Sequence, residues 1–197
     1  VSENPQVPEA AIPQPGVPAA ALSTEAVPTG PQIDPVWSLR TATAEDLDAI
    51  MAIETAEFVS DAWSSQAMAA DLASPHTHYL VASFTGDPRT IIGYAGLFAP
   101  AGGLDADIQT IAVSARARRL GIGRGLMTAL IEIARAQRIR EIFLEVREDK
   151  PAPRTLYRDL GFEEIAERPG YYQPDNITAI VMRLSIPQPE TGIGRNA

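Results

Sequence analysis

The chain has no cysteine, so it offers no disulfide framework, no thiol nucleophile and no thiolate metal site. Its two histidines, His76 and His78, are too few for a histidine-built metal centre, and no metal is expected. No apolar run reaches the roughly 18–20 residues needed to cross a bilayer, so no membrane span or membrane partner is expected. Positive charge is scarce: 16 Lys and Arg stand against 25 Asp and Glu, for a net −9. A chain this acidic lacks the basic face of a general nucleic-acid binder. What is present is 197 residues, 45% of them hydrophobic, enough for one globular domain with tails. The absence of cysteine suits a reducing compartment, and a cytoplasmic location is the expectation.

The charge is unevenly spread. Residues 1–35 carry four acids and no base, and residues 36–107 carry ten acids against Arg40 and Arg89. Residues 108–140 reverse the sign, with seven arginines and Glu132 as the single acid. One short basic segment inside an acidic chain points to a small anionic ligand.

Residues 1–35 hold eight prolines and no hydrophobic period, which reads as a disordered Pro/Ala-rich extension. Residues 187–197 read as a flexible tail, leaving 36–186 as the domain. There, strand and helix patterns alternate. Strands are expected at 36–40, 79–84, 90–98, 107–113, 141–146, 162–167 and 177–184. Helices are expected after a Thr43–Asp46 capping box, after Ser64 as N-cap, over 123–138, and from Pro153 to a stop at Gly161. The fold class is α/β, a layered domain with a mixed sheet.

The stretch from Ile108 to Gly125 is the most informative. A strand ends at Val113, an arginine- and glycine-rich loop follows, and the loop opens the clearest amphipathic helix. A helix N-terminus has unpaired N–H groups and partial positive charge, which suits a phosphate. Gly121 and Gly123 let the backbone approach an anion, and Arg118, Arg119 and Arg124 add charge around it. The loop contains no lysine, so it is no Walker A motif, and Gly-x-Gly-x-Gly is not the dinucleotide fingerprint Gly-x-Gly-x-x-Gly. By itself such a loop could equally be a tight strand–helix connection with solvated arginines.

Arg118-Arg119-Leu120-Gly121-Ile122-Gly123 resembles the Q/R-x-x-G-x-G/A motif of the GNAT superfamily of acetyl-CoA-dependent N-acetyltransferases. The likeness continues downstream. Leu144-Glu145-Val146-Arg147 and Leu156-Tyr157-Arg158-Asp159-Leu160-Gly161-Phe162 resemble the signatures of its ribosomal-protein-alanine N-acetyltransferase branch. Arg168…Tyr171-Tyr172 resembles that branch's R-x-x-Y-Y loop, and Ala62-Trp63-Ser64 its P-W-S segment. The resemblance implies a mostly antiparallel central sheet flanked by helices, acetyl-CoA as co-substrate, and a protein N-terminus as acceptor. A basic ribosomal small-subunit protein would suit the acidic 36–107 segment.

For the site, the resemblance implies backbone contacts to the pantetheine arm from Ile111, Ala112 and Val113. Residues 118–124, Leu120 and Ile122 included, would hold the pyrophosphate. Lys150 stands near the cofactor arm where the branch has an Asn, and lysine donates but cannot accept. Glu145 is the expected base, acting through water, because a peptide α-amino group needs only a weak base. Its neighbours Phe143 and Arg147 share its face of the strand, and apolar surroundings would desolvate its carboxylate. The plain alternative is a glutamate paired with an arginine such as Arg147. Tyr157 is the expected acid, or else a buried aromatic anchoring a short helix. Trp63, Tyr171 and Tyr172 would line the acceptor groove or pack in the core. Two further readings stay open: a small-molecule amine or lysine side chain as acceptor, and a non-catalytic CoA-binding module.

Overall fold

The computed structural model describes residues 36–58 and 61–188. The expected extension 1–35 therefore lies outside the described residues, as does the tail apart from Pro187 and Gln188. The strands are β1 (Trp37–Thr41), β2 (Thr77–Phe84), β3 (Asp87–Phe98), β4 (Asp105–Val113), β5 (Glu141–Arg147), β6 (Glu163–Tyr172) and β7 (Ile177–Ser185). They form one sheet in the order β1-β2-β3-β4-β5-β7-β6. Every pairing is antiparallel except β4 with β5. The helices are α1 (Leu47–Glu57), α2 (Ser65–Leu72), α3 (Ile122–Ala136) and α4 (Pro151–Asp159).

Strand period decides which side chain meets which layer. On β2, Leu80 and Ala82 enter the cluster under α3, while Tyr79 and Val81 enter the cluster under α1 and α2. The α3 cluster contains Ile122, Leu126, Met127, Leu130 and Ala134 from one stripe of that helix, packed on Ile92, Leu97, Ile142 and Ile180. The α1–α2 cluster contains Ile50, Ile53 and Met68 on Tyr94 and Ala112. Helices thus cover both faces of a mostly antiparallel sheet, as the sequence implied.

The local start signals act as expected. The Thr43 N–H donates to the Asp46 carboxylate at 2.8 Å, and Arg40 holds the same carboxylate in a two-pronged pair. Ser64 Oγ accepts from Ala67 N–H at 3.1 Å. Most element ends shift by one to three residues, and two differences bear on the site. A proline lacks the N–H that a first turn leaves unpaired anyway, so α4 already begins at Pro151. β6 runs on to Tyr172, so the R-x-x-Y-Y segment is a strand with a register shift between Arg168 and Tyr172, and not a loop.

Two irregularities open the site. β4 pairs β5 only through Asp105–Glu141, Ala106–Ile142 and Asp107–Phe143, after which the strands part. On its other edge β4 carries a bulge: Gly96 faces Thr110 and Leu97 faces Ile108, leaving Gln109 as the extra residue. The bulge inverts the faces, so Ala106 and Ile108 join the α3 cluster while Ala112 joins the α1–α2 cluster.

Glu54 on α1 is the buried acid of this framework, 1% exposed. It accepts the Trp63 N–H at 2.8 Å and the Tyr94 hydroxyl, which also lies 3.3 Å from Thr110 Oγ1 beside the bulge. Burial, with the Asp61 charge adding to it, pushes the Glu54 carboxyl above its ordinary range. A folded-state pKa raised above the unfolded one gives a contribution that is full at acid pH and lost as pH rises through the folded value. Glu54→Gln, which cannot ionise, loses that slope. Its unfolding free energy relative to the parent chain should increase from about pH 4 to pH 7, measurable by urea melts at both values.

Candidate active site

Beyond Asp107 one edge of β4 has no strand partner. Ser114 N–H donates to Ile92 O at 2.9 Å across the other edge. Peptide direction alternates along a strand, so Ala112 also turns to β3, opposite Tyr94, and Ile111 and Val113 turn their N–H and C=O groups to the open side. Of the three residues expected to offer backbone groups, Ile111 and Val113 face the cleft and Ala112 does not.

The loop before α3 is wound tightly. Arg119 has φ 66° and Gly121 φ 81°, two left-handed residues in the turn that opens the helix. Gly121 is favoured by its positive φ alone, because a Cβ there would meet open space. Part of the basic segment is paired within the protein: Arg118 binds Glu57 at the end of α1, and Arg124 binds Asp159 at the end of α4 at 2.8 Å. Among the described residues, Arg116 and Arg119 near the loop have no ion-pair partner, and neither do Arg138 and Arg140 beyond the far end of α3. Leu120 is exposed, and Lys150 is exposed immediately before α4.

Next to the parting of β4 and β5 lies a cavity of about 680 Å³. It gathers Glu145 from β5, Trp63 from the turn before α2, and Arg168, Tyr171 and Tyr172 from β6. The expectation of an apolar, desolvated Glu145 is corrected. Its side chain is 26% exposed on the open face of β5, while Ile142, Leu144 and Val146 take the buried face. The carboxylate pairs with Arg168 at 2.6 Å and accepts from the Tyr171 hydroxyl, and that bond and charge hold the Tyr171 phenol above its usual pKa. Arg168 lies 5.5 Å from the Tyr171 ring centre, and the two tyrosines meet edge to face at 5.2 Å. Tyr171 is thus exposed at the mouth and not a core residue.

The expected alternative partner, Arg147, is otherwise engaged. It binds Asp149 at 3.1 Å, Asp175 at 3.0 Å and Asp61 at 3.7 Å, and its guanidinium covers the Tyr172 ring at 5.3 Å. Tyr157 lies apart from this cavity, 6% exposed in the α3 cluster with its ring 6.0 Å from Phe162. Burial, followed by Tyr172 nearby, pushes its phenol well above the ordinary range, so Tyr157 stays protonated at neutral pH. Asp61, Asp107, Gln109 and Phe143 also line the cavity and were not singled out from the sequence. Asp107 carries a raised pKa from partial burial and from the charges of Asp105 and Glu145. Among the described residues no group of three or more His, Cys, Asp or Glu side chains is placed to hold a metal ion. None of the described helices is long and apolar enough to cross a membrane.

The profile of the acetyltransferase (GNAT) family matches residues 47–162, from α1 to the end of the α4 turn. The chain belongs to the GNAT acetyltransferase family. It is therefore an N-acetyltransferase that uses acetyl-CoA. Among its relatives, the N-alpha-acetyltransferase RimI of Mycobacterium tuberculosis is 35% identical over 144 residues, 72% of this chain and 87% of that protein. The [ribosomal protein bS18]-alanine N-acetyltransferase of Escherichia coli is 36% identical over 84 residues, 42% of this chain and 57% of that protein's length. The crystal structure of the ribosomal-protein-S18-alanine N-acetyltransferase from Escherichia coli superposes with a TM-score of 0.71 at 26% identity, over 80% of this chain and 98% of that one. This GNAT chain is RimI-like in sequence and in fold.

In this GNAT site Arg147 ties the turn before α2, the end of β5 and the β6–β7 turn to one cation. Arg147→Met keeps a long apolar stem and removes the shared charge from three carboxylates. The expected outcome is a loss of about 2–3 kcal/mol of stability, read by thermal or urea melts, with a higher KM for the acceptor than for acetyl-CoA.

Proposed function

We propose that this enzyme acetylates the N-terminal α-amino group of a protein, with a basic ribosomal small-subunit protein as acceptor. The observation carrying this reading is the cavity beside the β4–β5 parting. It is open to an extended chain end, walled by Trp63, Tyr171 and Tyr172, and edged by the carboxylates of Asp61, Asp107 and Glu145. Carboxylates around the mouth favour a cationic acceptor. The activities of the relatives support the same class.

Acetyl-CoA, when bound, supplies a thioester whose carbonyl the acceptor amine attacks. The chain's features fit that ligand: a β4 edge without a strand partner at Ile111 and Val113 for an amide-bearing arm, and a left-handed turn with Arg116 and Arg119 for phosphates. Glu145 takes the acceptor's proton through water, with Arg168 and Tyr171 holding its carboxylate in place. Tyr157, kept protonated by burial, serves as a hydrogen-bond donor. Most of the remaining acceleration comes from positioning. An α-ammonium loses its proton near pH 7.7–8.0 and a lysine only near about 10.4, so a site with a solvent-connected carboxylate favours the chain terminus.

Thiol release from acetyl-CoA is the test, read over basic peptides with varied first residues, the same peptides with blocked N-termini, lysine peptides and polyamines. Release confined to free N-termini is expected; equal release with blocked peptides or polyamines overturns the acceptor assignment. Glu145→Gln should lower kcat by about 10²-fold or more with the preferred peptide. An unchanged rate and pH profile removes Glu145 from the role of base.

A further inference from the structure

Trp37, the first residue of β1, lies far from the loop before α3 in sequence and touches it in the fold. Its Nε1–H donates to Leu120 O at 2.8 Å, in the centre of the 118–121 turn. The far edge of its ring lies against the first turn of α3. A Cβ built on Gly125 would fall 2.3 Å from the indole Cη2, so only glycine lets the ring approach. The third glycine of the Gly-x-Gly-x-Gly run therefore faces Trp37 and not an anion.

The turn it grips needs an external hold. Arg119 is a left-handed non-glycine residue between Arg118, which is extended, and Leu120. Such a conformation costs free energy and persists only where the surroundings over-determine it. The surroundings supply four ties: the indole bond to Leu120 O, the Arg118 pair with Glu57, the Arg118 Nε–H bond to Val113 O at 3.4 Å, and the first helical bond from Gly125 N–H to Gly121 O at 2.9 Å. Of these, the Arg118 pair is more than half exposed on the arginine side and is weak in water. The helical bond constrains only the α3 side of the turn. The indole acts on the Leu120 carbonyl, between the two left-handed residues Arg119 and Gly121, in the middle of the turn.

We propose that Trp37 is a positioning residue for the cofactor: it sets the pyrophosphate-binding turn from outside, without touching the ligand. This rests on the acetyl-CoA reading of the site. Preorganised N–H groups bind an anion without first paying to order the loop, so loss of the latch weakens binding of the phosphate-bearing donor. It leaves the Glu145 cavity unchanged, because Trp37 belongs to the α3 side of the sheet and the cavity opens elsewhere.

The variants are Trp37→Phe, which removes the donor and keeps an aromatic ring, and Gly125→Ala. The latter favours the helix but pushes the indole off it, so it tests the latch even where Trp37→Phe folds poorly. The first readout is calorimetric binding of CoA to the full chain, expected to weaken about tenfold in each variant, with kcat at saturating acetyl-CoA within about twofold of the parent. The second is kcat/KM with acetyl-pantetheine, a donor that lacks the pyrophosphate. It should be unchanged in both variants while kcat/KM with acetyl-CoA falls about tenfold. Equal losses with the two donors mean that Trp37 only stabilises the fold, and undiminished CoA affinity means that the turn holds itself; either result overturns the proposal. Absence of CoA binding in the parent chain counts separately, against the cofactor reading of the site.

Discussion

The three residue pairs that join β4 to β5, and the parting that follows them, are the constraint on which the rest of the site depends. Two parallel strands that stayed paired would spend the backbone groups of their facing edges on each other and leave a closed sheet. Pairing that stops at Asp107–Phe143 keeps the sheet continuous at its base and exposes the amides of Ile111 and Val113 higher up. The bulge at Gln109 works in the same place. By inverting the faces of β4, it lets Ala106 and Ile108 fill the α3 core while Thr110 meets Tyr94 on the other side. Glu54 closes that side by accepting from both Tyr94 and the Trp63 backbone, which joins α1, the bulged strand and the acceptor wall in one buried network.

Electrostatics divides the cleft in two. Toward α3 the chain supplies arginines, a helix N-terminus and left-handed peptides. Toward β6 it supplies Asp61, Asp107 and Glu145. The division matches a reaction between an anionic donor and a cationic acceptor, each drawn to its own end. Neither end is a bare charge cluster. Arg118 and Arg124 are paired with acids of other elements, and Glu145 is held by Arg168, so the fields are softened and the side chains fixed.

Much of this was legible in the chain. The alternation along Ile142–Val146, the stripe of α3 and the caps at Thr43 and Ser64 are local patterns, and local patterns survive folding. The loop motif marked the turn before α3 because a glycine-rich turn ahead of a helix has a physical meaning of its own. Glu145, Trp63, Tyr171 and Tyr172 line one cavity. What escaped was everything that depends on neighbours distant in sequence. The apolar run around Glu145 suggested desolvation, yet those neighbours point to the opposite face, and the carboxylate meets Arg168 from another strand. Asp61 and Asp107 carry no motif, and only the approach of the α1–α2 connection and β4 to β5 makes them part of the site.

The sequence alone determined the layers, the helix starts and the basic loop, because periodicity, capping and charge are properties of short segments. Tertiary structure alone decided where β4 leaves β5, which face a bulged strand presents, and which arginines stay unpaired. Those depend on pairing register and on charges brought together across the sheet, and no window of the chain contains both partners. Trp37 and Leu120 are 83 residues apart, and their hydrogen bond exists only because β1 and α3 pack on the same face.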